Sequence, residues 1–312
     1  MIKKVIITGA TGFLGKYVLQ NLIENNYLPF VMIRGDSSVY NIQEFLPFCK
    51  CINYITLKDK DLIEKLDAAK DADLFVHCAW KGVGTRDVEQ LSQITYNITL
   101  TIDSVILANL INCKKWVGIG SQAEYGAVNK IAQEDETLIN PFSAYGKSKA
   151  ACYWASSGLC QILGIKMLWC RVFSLYGLGD NPNYFIPYVI KTCIEGNSPS
   201  LTNCEQKWDY LHVKDGAAAV CNLAEDEDGI GIFNIGSGET VILKDVVKFI
   251  KQKINRDLVI GFGEKPYSGN QIMHLEANIS KLKKTITWTP KISLESGLLE
   301  VIKFYQEKHL HK

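Results

Sequence analysis

Tyr145 stands four residues ahead of Lys149 in the run Tyr145-Gly146-Lys147-Ser148-Lys149. On a helix this spacing puts both side chains on one face, so an ammonium can stand beside a phenol. A neighbouring cation favours the phenolate and lowers its pKa, which suits proton exchange with a sugar or alcohol oxygen near neutral pH. The spacing alone is a weak signal, because Tyr54/Lys58 and Tyr210/Lys214 share it. Their surroundings separate them. Tyr54 lies in an expected strand and Tyr210 opens the strand-like run 210–213, where positions i and i+4 are far apart. Only Tyr145 opens a long helical pattern. Upstream, Ser121 ends the strand-like segment 116–120, where its hydroxyl could hold a substrate oxygen.

A second chemical signal lies at the start of the chain. Gly9, Gly12 and Gly15 follow the apolar run 5–7 in the segment TGATGFLG, with Thr11, Phe13 and Leu14 between and after them. A buried strand, a glycine turn and a helix N-terminus form a site for a dinucleotide pyrophosphate. Backbone N–H groups face the anion, and no side chains stand where the phosphates approach. The next strand, 29–33, ends at Arg34. A guanidinium there can pair with the 2′-phosphate of NADP, whereas a carboxylate would hold the ribose of NAD. NADPH is therefore favoured, and Asp36, two residues on, keeps NAD possible.

These residues need a frame. Strands are expected near 2–8, 29–33, 52–57, 73–78, 115–120 and 166–171, with helices over about 13–25, 60–69, 87–112 and 143–163. Strands apolar on both faces and alternating with helices predict an α/β fold, a doubly wound Rossmann-type parallel sheet. In such a sheet ligands bind at the carboxyl ends of the strands, which is where Ser121 falls. After 173 the pattern loosens into a loop near 178–183, a short helix near 184–195, and returns to the sheet at about 208–235. Residues 1–173 with those returns read as the dinucleotide-binding part. Residues 174–207 and 236–312 read as a smaller, interleaved substrate lobe.

Composition narrows the class. Of 312 residues, 47% are hydrophobic and 21% charged, with a net charge of +1, as in an ordinary globular protein with material for a core. Without a basic stripe, nucleic acid is not an expected partner. The start runs straight into a core strand and no stretch of 18 apolar residues occurs, so a signal peptide, a membrane partner and a membrane span are not expected. The ten cysteines are scattered without a CxxC pair, which reads as free thiols in a cytoplasmic protein. The histidines are dispersed, only His309 and His311 lying close, and no metal site is expected.

Four motifs occur in one order: TGATGFLG, the run 120–126 (GSQAEYG), the Tyr145/Lys149 pair and the run 171–177 (RVFSLYG). Together with the run 233–238 (FNIGSG) and the late 288–291 (WTPK), they resemble an extended short-chain dehydrogenase/reductase of the nucleotide-sugar epimerase, dehydratase and reductase group. The resemblance covers nearly the whole chain. It implies a catalytic triad of Ser121, Tyr145 and Lys149, with Lys149 also binding the cofactor ribose. It implies further that Asn97 supports the cofactor-side hydrogen bonds and that Ala79 and Trp80 line the nicotinamide cofactor. The helices 87–112 and 143–163 commonly pair across a two-fold axis in this group, and their surplus of apolar and small residues implies a homodimer.

Departures from the group pattern refine the expected activity. Sugar dehydratases of the group carry adjacent Asp and Glu after the triad hydroxyl, and here those positions are Gln122 and Ala123. Glu124, one residue further, is expected on a strand extension pointing to the opposite face. A dehydratase is thus disfavoured. Trp208, beside Lys207, stands where an Arg commonly contacts the nucleotide diphosphate, and Ser174 replaces a common Asn. With Phe185 and Gln122, these are the candidate substrate residues. The runs 184–187 (YFIP) and 208–210 (WDY) resemble reductases of nucleotide-linked 4-keto-6-deoxy sugars, of the CDP-abequose synthase type. Such enzymes serve deoxysugar and surface-polysaccharide biosynthesis. The implied reaction is reduction of a sugar C4 carbonyl, with Tyr145 as proton donor and Ser121 orienting the carbonyl. A 4-epimerase using the same triad with retained NAD, and a non-catalytic binding protein on the same scaffold, are the alternatives.

Overall fold

The computed structural model describes residues 2–35, 37–84 and 87–310. Asp36 and His311 lie outside them. β1 (Lys3–Thr8) lies inside a seven-stranded sheet with β2 (Tyr27–Arg34), β3 (Lys50–Tyr54), β4 (Leu74–His77), β5 (Lys115–Ser121), β6 (Lys166–Val172) and β7 (Gly231–Ile235). The spatial order is β7-β6-β5-β4-β1-β2-β3, and every pairing is parallel. Strand order reverses between β1 and β4, which opens a crevice at their carboxyl ends.

Alternation along the strands feeds two cores. Val5, Ile7, Val31, Ile33, Leu74 and Val76 face one side, against the helices Phe13–Glu24 and Val213–Glu225. Ile6, Phe30, Met32 and Phe75 face the other, against the helices Asn97–Leu110 and Ala144–Leu163. Burial on both faces explains why these strands read as continuous apolar runs. Pro29 is tolerated inside β2 because β3 pairs only from Phe30 onward, leaving Pro29, which pairs with Val5 of β1, without a neighbour on its other side. A third cluster joins Ile186, Val189 and Ile190 to Leu243, Val246, Val247, Leu298 and Val301, drawing together 176–204 and 243–302.

Several expectations change. The segment 87–112 is not one helix but two, Ser92–Thr95 and Asn97–Leu110, broken at Tyr96. At the restart Asn97 spends its amide on the main chain of Lys81, tying the helix to the loop after β4. The strand expected at 52–57 is Lys50–Tyr54, in register with Arg34 at its end. The strand Tyr210–His212 does not return to the large sheet. It pairs with Ser174–Tyr176 in a separate two-stranded sheet, and only β7 rejoins the main one. No periodic signal announced the 3-10 segment Tyr40–Phe48. All ten cysteines are free thiols.

Candidate active site

The turn between β1 and the helix Phe13–Glu24 is shaped by glycine. Gly9 takes φ +72°, and a Cβ there would stand 2.5 Å from the Ala79 nitrogen. A Cβ on Gly15 would meet the Gly9 carbonyl oxygen at 2.1 Å. The turn therefore closes against the loop after β4 only without side chains. A Cβ on Gly12 would meet the Gly9 carbonyl oxygen at 3.3 Å, and as N-cap the residue brings no side-chain cap to the helix start. Helix amides facing a side-chain-free concavity fit a pyrophosphate. Two cavities meet here. The smaller, about 190 Å³, is lined by Thr11, Gly12, Arg34, Ser37, Ala79 and Tyr96, among others. Arg34 donates a hydrogen bond to the Tyr96 hydroxyl at 3.1 Å. The larger, about 750 Å³, takes in Gly9, Phe13, Leu14 and Gly15 at one end and Trp208 and Tyr210 at the other. Asn97 borders neither, being buried behind the wall, where it holds the loop that carries Ala79 and Trp80.

Ser121, Tyr145 and Lys149 all line the larger cavity. Ser121 closes β5, and its hydroxyl accepts from the Ala123 amide at 3.2 Å. Tyr145 lies in the first turn of the helix Ala144–Leu163, whose start is capped by the Ser143 hydroxyl on the Gly146 amide. Gly146 matters because a Cβ there would stand 2.5 Å from the Ala123 carbonyl. The helix can thus lie directly on the turn after β5, which brings the phenol to Ser121. Lys149, one turn on, is buried and donates to the Ile119 carbonyl at 2.6 Å. Its Nζ lies 3.6 Å from the Trp80 ring centroid and 5.8 Å from that of Tyr145.

The electrostatics differ from the expectation drawn from spacing. Burial pushes the Tyr145 phenol up to about 12, while a hydrogen bond from Ser121 pulls the other way. Lys149 does not hold it down, because its ammonium is taken by a main-chain carbonyl and the face of Trp80. Burial also brings Lys149 down to about 8. In this arrangement Tyr145 holds its proton at neutral pH.

Glu124 corrects a second expectation. It is not on a strand extension but in a 3-10 turn, Gln122–Glu124, closed by a capping box with Ser121. Its fully buried carboxylate accepts from the Ser121 amide (2.8 Å), Trp169 Nε1 (3.0 Å) and Arg171 Nε (2.7 Å). Arg171 in turn donates to the Tyr125 hydroxyl, which donates to Asn234. This buried network fixes the backbone that carries Ser121. It was visible only as the motifs containing Arg171 and Asn234.

Among the candidate substrate residues, Gln122, Ser174, Phe185 and Trp208 line the large cavity. Ser174 Oγ accepts from Trp208 Nε1 at 2.7 Å. Lys207 does not join them: it is exposed, because neighbours on a strand point to opposite faces. The structure adds Asp180, which no sequence pattern singled out, and Tyr184, which the run 184–187 contained but which was not assigned to the site. The Tyr184 hydroxyl donates to the Val83 carbonyl, bridging the two sides of the cavity. Among the described residues no cluster of three or more His, Cys, Asp or Glu could hold a metal, and no helix is long and apolar enough to cross a membrane.

Comparison with known proteins agrees with this fold. Residues 5–236 match the model of the NAD dependent epimerase/dehydratase family. A dTDP-4-dehydro-6-deoxyglucose reductase of Escherichia coli is 25% identical, with 96% of each chain covered. UDP-glucose 4-epimerase 2 of Oryza sativa subsp. japonica is also 25% identical, over 94% of this chain and 79% of the relative. The fold is shared with the UDP-glucuronic acid 4-epimerase of Bacillus cereus, solved with UDP-glucuronic acid and NAD. That likeness has a TM-score of 0.84 at 23% identity and covers 98% of this chain and 99% of that one. With the family match spanning most of the chain, from the glycine turn through β7, this protein belongs to the NAD dependent epimerase/dehydratase family and is an enzyme of nucleotide-sugar modification.

Proposed function

We propose that the enzyme is a 4-ketoreductase acting on a nucleotide-linked 4-keto sugar with NADPH. The observation that carries this reading is the placement of the buried Tyr145 phenol beside Ser121 on the large cavity at the carboxyl end of β5, where burial raises its pKa. The bound cofactor would supply the hydride. Ser121 would orient the carbonyl oxygen, and Tyr145 would deliver its proton to that oxygen. Lys149 spends one N–H on Ile119, which leaves donors for a cofactor ribose hydroxyl. Gln122, Ser174, Phe185 and Trp208 would bound the nucleotide sugar, with the lobe of 174–207 and 236–312 closing over it.

The choice of NADPH rests on Arg34, which lines the smaller cavity with Ser37 and so stands where an adenosine 2′-phosphate would lie. Titrating the wild type and Arg34→Ala with both reduced cofactors tests this. Arg34→Ala should lose roughly tenfold in NADPH affinity and little for NADH, as for one charge-assisted contact. An unchanged NADH preference in both proteins removes the assignment.

The 25% identity to a UDP-glucose 4-epimerase favours a second reading, epimerisation with retained NAD. The near-ultraviolet absorbance of reduced cofactor separates the two. Consumption of added NADPH on supplying 4-keto nucleotide sugars supports the reductase, and NAD that stays bound through purification supports the epimerase. A protein showing neither is a binding protein. We also propose a homodimer, because Leu91, Ile94, Ile106 and Leu110 and, on the neighbouring helix, Trp154 and Ile162 stay exposed. A monomer mass by light scattering at micromolar concentration would count against it.

A further inference from the structure

The large cavity holds a carboxyl group that the reading above does not use. Among the described residues lining it, apart from tyrosines and Cys78, only Lys149 and Asp180 ionise. Asp180 is 9% exposed and makes no ion pair with a described residue. Among the described residues its carboxyl has one hydrogen-bond partner, accepting from the amide of its neighbour Asn181 at 2.7 Å. A carboxyl has about four acceptor positions, so most of its capacity is unspent beside an open volume.

The loop carrying Asp180 is pinned where the two halves of the cavity meet. Tyr17, from the cofactor-side helix, donates to the Leu178 carbonyl at 2.9 Å. A side-chain carbon at Gly179 would lie 3.9 Å from the Phe13 ring. At the other end Tyr184 is tied to Val83 in the loop after β4. Asp180 therefore lines the cavity between the glycine turn, the cofactor end of the reading above, and the candidate substrate residues Phe185 and Trp208. Burial pushes its pKa up to about 7, in keeping with a carboxyl that lacks a cation.

We propose that Asp180 is a specificity-determining residue that accepts a hydrogen bond from a sugar hydroxyl or amino group and rejects sugars carrying a carboxylate. This inference rests on the nucleotide-sugar reading and deepens it: the substrate is a neutral or amino sugar, not a uronic acid. Two carboxylates in one poorly solvated cavity repel once both are ionised, and among the described residues the one lining lysine, Lys149, is already engaged by the Ile119 carbonyl and the Trp80 face. A hydroxyl or ammonium instead uses the unspent acceptor positions.

The test is calorimetric titration, at a pH above the value of about 7 at which Asp180 ionises, of the cofactor-loaded protein with matched glucose and glucuronic acid derivatives of UDP, dTDP and CDP. The diphosphate is common to both members of a pair, so its repulsion from Asp180 cancels in the ratio of affinities. The wild type should prefer the neutral sugar by at least tenfold, and Asp180→Asn should bring the two within about threefold, mainly by admitting the uronate. Asp180→Asn keeps the shape of the side chain, and the wild-type ratio stands as a measurement even if the variant folds poorly. Equal wild-type affinity for both sugars overturns the proposal, as does an unchanged preference in Asp180→Asn. If no nucleotide sugar of either kind binds, the nucleotide-sugar reading itself fails.

Discussion

Two lysines are buried at opposite ends of one strand. Lys115 opens β5, and Lys149 reaches its other end through the Ile119 carbonyl. Burial brings both down to a pKa of about 8. They differ in how their donors are spent. Lys115 Nζ donates to the carbonyls of Leu223, Ala224 and Asp226 at 2.9, 3.1 and 2.9 Å. These are the orphan acceptors at the end of the helix Val213–Glu225, where the helix dipole also favours a cation. Lys149 donates to one carbonyl, lies on an aromatic face and borders the large cavity. A depressed pKa does not by itself mark a functional site. Unspent donors next to open volume do.

The largest effect that sharpens this contrast belongs to Tyr145, the phenol on the Lys149 side. Tyr145→Phe should fold normally and lose about 10²–10⁴-fold in turnover with a 4-keto nucleotide sugar. Near-normal turnover would detach the whole Lys149 end from catalysis. Lys149→Met comes next and, on the proposed reading, is expected to cost at least about tenfold in turnover through the loss of a cofactor contact. Its stability in urea should hold or rise, because it removes a buried charge and leaves one carbonyl unpaired. Lys115→Met should do the opposite. It strands three helix-end carbonyls and should lose about 1–3 kcal/mol of stability, while turnover per folded molecule is kept. If both variants fail in the same way, the contrast is wrong.

The smallest effect is in the pH dependence of that stability. Between about pH 8 and the ordinary lysine value of 10.5, the unfolded chain holds a proton that folded Lys115 has shed. Stability contributed by this group therefore rises with pH across that window. The gap between wild type and Lys115→Met should widen by at most about 1.4 kcal/mol per pH unit. A gap that stays constant in urea titrations across the window would mean that the three carbonyls keep Lys115 charged in the fold.

The same contrast explains what could be read in advance. The glycine turn, the strands feeding the sheet and the Ser121, Tyr145 and Lys149 positions were legible, because each follows from local spacing and from the rule that ligands gather at strand carboxyl ends. Lys115 was not, since nothing near it in sequence shows that carbonyls 108, 109 and 111 residues later will gather at its ammonium. Asp180 likewise reads as an ordinary polar loop residue until Tyr17 and Tyr184 fix the loop across the cavity. Glu124 was assigned to the wrong local structure, because the capping box that turns the chain after Ser121 competes with strand continuation.

By itself, the sequence determined the parallel sheet, the glycine turn and which hydroxyl, phenol and amine share a helix-and-strand end. These are matters of period and of glycine placement, and they act over a few residues. Only the tertiary structure decided where the charges go. Spacing sets Lys149 on the face of Tyr145, but the nearest strong acceptor and the nearest aromatic face, Ile119 and Trp80, come from other parts of the chain and claim its ammonium. The pKa of Tyr145 then follows from enclosure rather than from a neighbour four residues away. Proton affinity depends on desolvation and on contacts between distant segments, and no local pattern carries either.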